Sequence, residues 1–257
     1  MNPLTRAVDF DRAYAERLVE KVVPGRNGRG LFTPDLPLVR YLNHFNVDLG
    51  VRAPIDELVA EAERLHGAEG LPHVKITVDD ELGASLEPAF LERGWQREEL
   101  LVMPHLGPQP DLEISAVEEI GPDELEPVWI EGMRASPELE SEEEIRQLVE
   151  AQHRRRRAVE VRYFAARADR RIASYCELFS DGNTGQIESV MTLEPFRGRG
   201  LAKTVVMRAL RESLARHDFT FLVADAKDWP KDLYRTLGFG SVGSIWDFLL
   251  LPTSARP

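Results

Sequence analysis

The stretch Leu193-Glu194-Pro195-Phe196-Arg197-Gly198-Arg199-Gly200-Leu201-Ala202 sets two glycines and two arginines directly before an apolar helical stripe. The start of a helix leaves backbone N–H groups without intrahelical acceptors and carries the positive end of the helix dipole, so it attracts anions. Gly198 and Gly200 remove side chains where the main chain must approach phosphate oxygens, and Arg197 and Arg199 add charge at the same place. A pyrophosphate suits the segment. On these residues alone a plain strand-to-helix turn explains the glycines equally well. Two other phosphate-binding patterns are absent: Lys203-Thr204 follows Ala202 rather than glycine, and a third glycine with dinucleotide spacing is missing.

Other reactive side chains are few. Glu188 interrupts the apolar run Gln186-Ile187-Glu188-Ser189-Val190, where a buried carboxylate is costly unless it serves a purpose or faces a wet cleft. Strand alternation offers the other reading, a solvent-facing Glu188. Glu177 is a weaker rival. His217, beside Asp218, reads as an exposed residue at a helix end, and Arg154 to Arg157 as a solvated helix end, with a ligand contact as the other reading. No His, Cys or carboxylate spacing suggests a metal.

The elements that must position these residues follow from periodicity. Leu112–Val117 reads as a strand, 122–135 as a helix with Pro122 in its first turn, and Ser141 with Glu144 as the capping box of a second helix. Val159–Ala166 and Ile172–Phe179 form a hairpin, and 186–193 is a third strand. Leu201, Val205, Val206, Leu210 and Leu214 mark a helix, followed by strand 219–224, helix 231–237 and strand 244–251. Upstream, 38–51 reads as strand, 55–66 as helix, 73–78 as strand, 82–91 as helix and 95–103 as strand. Pro104, Gly107, Pro108 and Pro110 break the chain between the halves, giving domains 1–106 and 107–257.

Arg197-x-x-Gly200-x-Ala202 resembles the Arg/Gln-x-x-Gly-x-Gly/Ala signature of the GNAT superfamily of N-acetyltransferases. Leu233-Tyr234-Arg235-Thr236-Leu237-Gly238-Phe239 is similar to the Leu-Tyr-x-x-Leu-Gly-Phe that closes that family's last helix. The resemblance covers roughly 112–250. It implies an α/β (α+β) fold with a central mixed, splayed sheet flanked by helices, and acetyl-CoA as cofactor. Arg197, Gly198, Arg199, Gly200, Leu201 and Ala202 then hold the pyrophosphate, while Val190, Met191 and Thr192 offer main-chain groups to the pantetheine arm. Tyr234 matches the family tyrosine near the cofactor sulfur and is expected as general acid, against the alternative of a helix-packing tyrosine. Glu188 is the candidate base. In the family pattern the proline of the turn lies one residue further from the arginine, and an Asn commonly precedes the last helix where this chain has Asp225, Asp228 and Trp229-Pro230.

Leu91-Glu92-Arg93-Gly94-Trp95 resembles the same helix-to-strand corner, so the first half is expected to be a smaller, degenerate GNAT-like domain. Gly50-Val51-Arg52-Ala53-Pro54 lacks paired glycines there, and no cofactor is expected in it. The expected activity is acetyl transfer from acetyl-CoA to a primary amine of a small molecule or peptide by direct attack; the alternative is a non-catalytic acyl-CoA-binding sensor or scaffold. Composition agrees: 257 residues with 43% hydrophobic and 30% charged can fill two cores. A net charge of -12 disfavours nucleic acid and mildly favours cationic amines. No apolar run spans a membrane, and the single Cys176 reads as a small buried residue in a reducing, cytoplasmic compartment. A homodimer stays open.

Overall fold

The first helix opens with a cap that the sequence spells out. Asn2 accepts a hydrogen bond from the Leu4 N–H, and Pro3 takes the first helical position, where a missing N–H costs nothing. The computed structural model describes residues 2–139 and 141–252. In chain order the first half holds α1 (Pro3–Leu18), β1 (Lys21–Pro24), β2 (Gly28–Phe32), β3 (His44–Val47), α2 (Ile55–Ala68), β4 (Val74–Val78), α3 (Leu82–Glu92) and β5 (Gln96–Pro104). It continues with β6 (Val117–Ile120), α4 (Pro122–Arg134), α5 (Glu142–Ala158), β7 (Glu160–Ala168), β8 (Arg171–Ser180) and β9 (Thr184–Thr192). Then come α6 (Leu201–Leu214), β10 (Phe219–Asp225), α7 (Pro230–Thr236) and β11 (Gly243–Leu250).

The fold is mixed α/β, as expected, and the chain divides into two compact units. One comprises the described residues of Met1–Val102, Ala224–Asp228 and Val242–Pro257; the other comprises Met103–Val223 and Trp229–Ser241.

In the first unit the strand order is β1-β2-β3-β4-β11-β5, with β3 and β4 parallel and the remaining pairs antiparallel. One face of this sheet is apolar. Phe45, Ile76, Val78 and Phe248 are essentially buried against Leu58, Ala62 and Leu65 of α2 and Phe90 of α3. The Phe90 and Phe248 rings stack at 4.0 Å. Gly83 lets α3 approach closely, because a Cβ there would stand 2.3 Å from Trp246. Three features depart from the sequence reading. α1, β1 and β2 were not expected, only 44–47 of the expected strand 38–51 is extended, and β11, expected to close the second domain, lies between β4 and β5.

In the second unit the order is β10-β9-β8-β7-β6, with only β10 and β9 parallel. α6 buries Val205, Val206, Met207, Ala209 and Leu210, and the Cys176 thiol donates to the Val205 carbonyl across 3.3 Å. Cys176 is fully buried, in keeping with its expected role. The other face carries Tyr163, Ala165, Ala173 and Tyr175, which pack with Leu125 and Trp129 of α4. Ser141 caps α5, its hydroxyl accepting from the Glu144 N–H at 3.1 Å, as the capping-box spacing requires. The strand expected at 112–117 lies later, at Val117–Ile120, since Ile114 and Val117 instead close a turn.

Candidate active site

Strands β9 and β10 run side by side only from Thr184↔Phe219 to Ile187↔Leu222. Beyond Ile187, β9 keeps its antiparallel neighbour β8, through Tyr175↔Met191 and Ser174↔Thr192, but leaves β10. The sheet therefore opens at Glu188. Val190, Met191 and Thr192, all partly exposed, lie on the free stretch. At the departure point β9 carries a bulge opposite Cys176, and Ser189 sits there at φ 52, a left-handed conformation rare for a non-glycine residue. Ser174 secures the strand beyond the bulge: its hydroxyl donates to the Met191 carbonyl at 2.8 Å.

β9 feeds through a short 3-10 turn, Glu194–Phe196, into α6. Gly198 and Gly200 hold φ 76 and 77, and a Cβ at either would meet nothing within 4 Å. Glycine is thus required by backbone conformation, and the space before the turn is open. The N–H groups of the first turn, Leu201 and Ala202 among them, face this space without intrahelical acceptors. Arg197 and Arg199 are exposed; Arg197 Nε donates to the Thr192 carbonyl at 3.2 Å, and the Arg199 guanidinium lies 5.2 Å from the centre of the Phe196 ring.

Glu188 stands where the strands part. Gln186 Nε2 donates to Glu188 Oε1 at 2.9 Å, and the Ser189 N–H points to Oε2 at 3.3 Å. Across the ladder it faces Glu177, whose side chain is 1% exposed and pairs with Arg155 at 3.0 Å. Arg155 also donates to Ser189 Oγ at 2.9 Å, tying α5 to the bulge. Burial raises the Glu188 pKa to about 7, Arg155 opposes the rise, and Glu177 reinforces it. Burial likewise raises that of Glu177 against the pull of Arg155. On the same strand face the Tyr163 hydroxyl is pushed up to about 12 and the Tyr175 hydroxyl also upward, each mainly by burial.

Sequence reasoning missed two members of this cluster. Arg155 is not part of a purely solvated helix end: its guanidinium is held 14% exposed by Glu177. The signal was available, since the i, i+4 relation puts Arg155 on the same face as Ala151, which packs inward. Ser189 gave no signal, because a bulge is not written in residue type. Tyr234, on α7, is nearly buried and lies edge-on to Phe239 with ring centres 6.4 Å apart. His217 is a correction. It is buried, and its ring lies within hydrogen-bonding distance of the Ser180 hydroxyl (2.7 Å) and the Ser213 hydroxyl (3.0 Å); burial lowers its pKa. The turn after α6 folds it inward between β8 and the helix end.

With this geometry in place, comparison with known proteins gives a family. Residues 125–239, from α4 to the residue after Gly238, match the model of the acetyltransferase (GNAT) family. Residues 125–239 are thus similar to a GNAT domain. Acyl transfer is this family's general chemistry, and acetyl-CoA is its general donor. Similar solved structures include a conserved protein of unknown function from Staphylococcus epidermidis, at TM-score 0.69 and 17% identity over 90% of this chain and 93% of that one. A GCN5-related N-acetyltransferase from Kribbella flavida gives TM-score 0.65 and 18% identity over 96% and 95%. A tandem GNAT protein from the clavulanic acid biosynthesis pathway gives 0.50 and 16% over 83% and 76%. At these identities the likeness is one of fold. None of the curated protein sequences compared matches the chain significantly. Gly198 and Gly200 project no side chain into the open space before α6, which leaves the turn and the free strand edge compatible with a diphosphate-bearing thiol cofactor.

Proposed function

We propose that the chain moves an acetyl group from acetyl-CoA to a primary amine of a small molecule or peptide, by direct attack, in the cytoplasm. The observation that carries this reading is the parting of β9 from β10 at Ile187, immediately upstream of the Gly198–Gly200 turn. Arg197, Gly198, Arg199, Gly200, Leu201 and Ala202 would hold the diphosphate, and the free edge at Val190, Met191 and Thr192 the pantetheine amides. When bound, acetyl-CoA supplies an activated acetyl thioester.

A free alkyl amine has a pKa near 10, so at neutral pH its proton must be removed before nitrogen can attack. Glu188, poised at about 7, is half ionised there and serves as the base at Oε. Tyr234 Oη holds the proton destined for the leaving side. With Glu177 and Glu188 both ionised, Arg155 offsets only one of the two charges, so the cluster favours a cationic acceptor. The overall charge of -12 points the same way and against nucleic acid.

The test is release of free thiol from acetyl-CoA across a panel of amines, read beside thermal stabilisation by acetyl-CoA. Turnover with at least one amine is expected, and Tyr234→Phe should slow it. Unchanged turnover in Tyr234→Phe overturns the acid role; stabilisation without turnover on any amine overturns catalysis in favour of a coenzyme-binding module.

A further inference from the structure

The sheet of the first unit has two unlike faces. One is the apolar face under α2 and α3. Across the other runs a polar row, one residue per strand, set by the register: Arg29 of β2 faces Asn46 of β3, Asn46 faces Thr77 of β4, and Thr77 faces Asp247 of β11. Asn46, Thr77 and Asp247 are each at most 9% exposed. A buried row of this kind adds little to stability compared with apolar residues of the same shape, and the opposite face already supplies a packed core.

α1 covers this face and leaves a cavity of about 220 Å³. Two ion pairs stand in its wall. Lys75 Nζ lies 2.7 Å from Asp247 Oδ2, while Thr77 donates to Asp247 Oδ1 at 2.6 Å. Arg12 Nε lies 2.7 Å from Asp79 Oδ2, which also accepts from Asn46 at 3.0 Å. His44, 7% exposed, lines the same cavity, and among the described residues its Nδ1 has no partner in hydrogen-bonding geometry. Burial and then Lys75 push the His44 pKa down to about 3, so the ring is neutral at physiological pH. Tyr14, Ala15, Leu31 and Ile245 supply the apolar part of the lining.

We propose that this cavity binds a free α-amino acid with a small apolar side chain, at a site separate from the coenzyme turn. The two ion pairs present one cation and one anion each. A zwitterion can contact both kinds of charge, which the lining also offers in Asp11, Glu16 and Arg29, whereas a simple amine or a simple carboxylate can pair with only one kind. His44 Nδ1 offers the remaining hydrogen bond from an uncharged ring. The volume agrees, since a cavity of about 150 Å³ accepts a benzene-sized molecule and this one is somewhat larger.

Melting of the full chain is measured with each of the twenty amino acids, with matched N-acetyl and amide derivatives, with propylamine and propionate, and separately with acetyl-CoA. One or more apolar amino acids should raise the melting temperature saturably, and the blocked derivatives should bind at least about tenfold more weakly. Ala15→Trp fills the cavity while leaving every residue of the polar row in place in the sequence, and should remove the amino-acid shift while keeping that of acetyl-CoA. Should that variant not fold, Ala15→Leu takes its place. The proposal fails if no amino acid shifts the melt, if propylamine or propionate acts as well as the zwitterion, or if the shift survives in a folded cavity-filled variant. A missing acetyl-CoA shift beside an intact amino-acid shift would count against the transferase reading alone.

Discussion

Glu188 and Glu177 face each other across two strands with one guanidinium paired to Glu177, and this arrangement sets how the site responds to pH. A base with a pKa of about 7 works only when ionised, so kcat/KM should climb with pH through about 7 and then level off. Glu188→Gln should remove that inflection and lower the rate by about 10²- to 10⁴-fold, measured as thiol release across a pH series. Stability runs the opposite way. The folded pKa lies above the unfolded value of 4.5, so the folded state holds the extra proton between the two. Stability is then complete below about 4.5 and falls by up to ~1.4 kcal/mol per pH unit until about 7. Glu188→Gln should flatten this fall in a melting series. Arg155→Ala strips the counter-charge from the buried Glu177; a loss of about 3–5 kcal/mol in denaturant unfolding is expected, together with an upward move of the Glu188 inflection.

At the scale of elements, the glycine turn can be separated from the helix it opens. Gly200→Glu places a carboxylate and a strained positive φ where an anion should dock. Stabilisation by acetyl-CoA should vanish in a melting assay while the far-ultraviolet helix signal remains. Elements with strong internal pattern were readable from sequence. α6 announced itself by its apolar stripe, α5 by Ser141 and Glu144, and β7 and β8 by β-branched and aromatic runs around Arg167–Arg171. Those that escaped had weak or misleading pattern. β2, Gly28-Arg29-Gly30-Leu31-Phe32, contains two glycines and looks like a turn, and α1 is too polar for its stripe to stand out, although Asn2-Pro3 spelled its start. The Gly198–Gly200 turn was legible because glycine carries its conformational freedom in its type. The Arg155–Glu177–Ser189 cluster was not, because it needs a bulge and a helix end brought together from three parts of the chain.

For the molecule as a whole, partner choice among strands was the least legible property. The residues Gly243–Leu250 read correctly as a strand, yet nothing in them states that their neighbours are β4 and β5. Removing 243–257 should therefore harm the first unit: it exposes two strand edges and withdraws Trp246 and Phe248, each worth about 1.5–3 kcal/mol when buried. Hydrogen exchange should show lost protection at Ile76 and Leu100, which pair with Phe248 and Ile245. For the same reason a fragment ending at 106 should not give a cooperative melt.

β11 is also made after every strand of the second unit, whereas β4 and β5 are made well before it. At translation speeds of roughly 5–20 residues per second, the nascent N-terminal half waits on the order of ten seconds for the strand that completes its sheet. During synthesis the usual order is thus reversed: the half that is begun first is finished last, and its open edges are what a chaperone would have to shield.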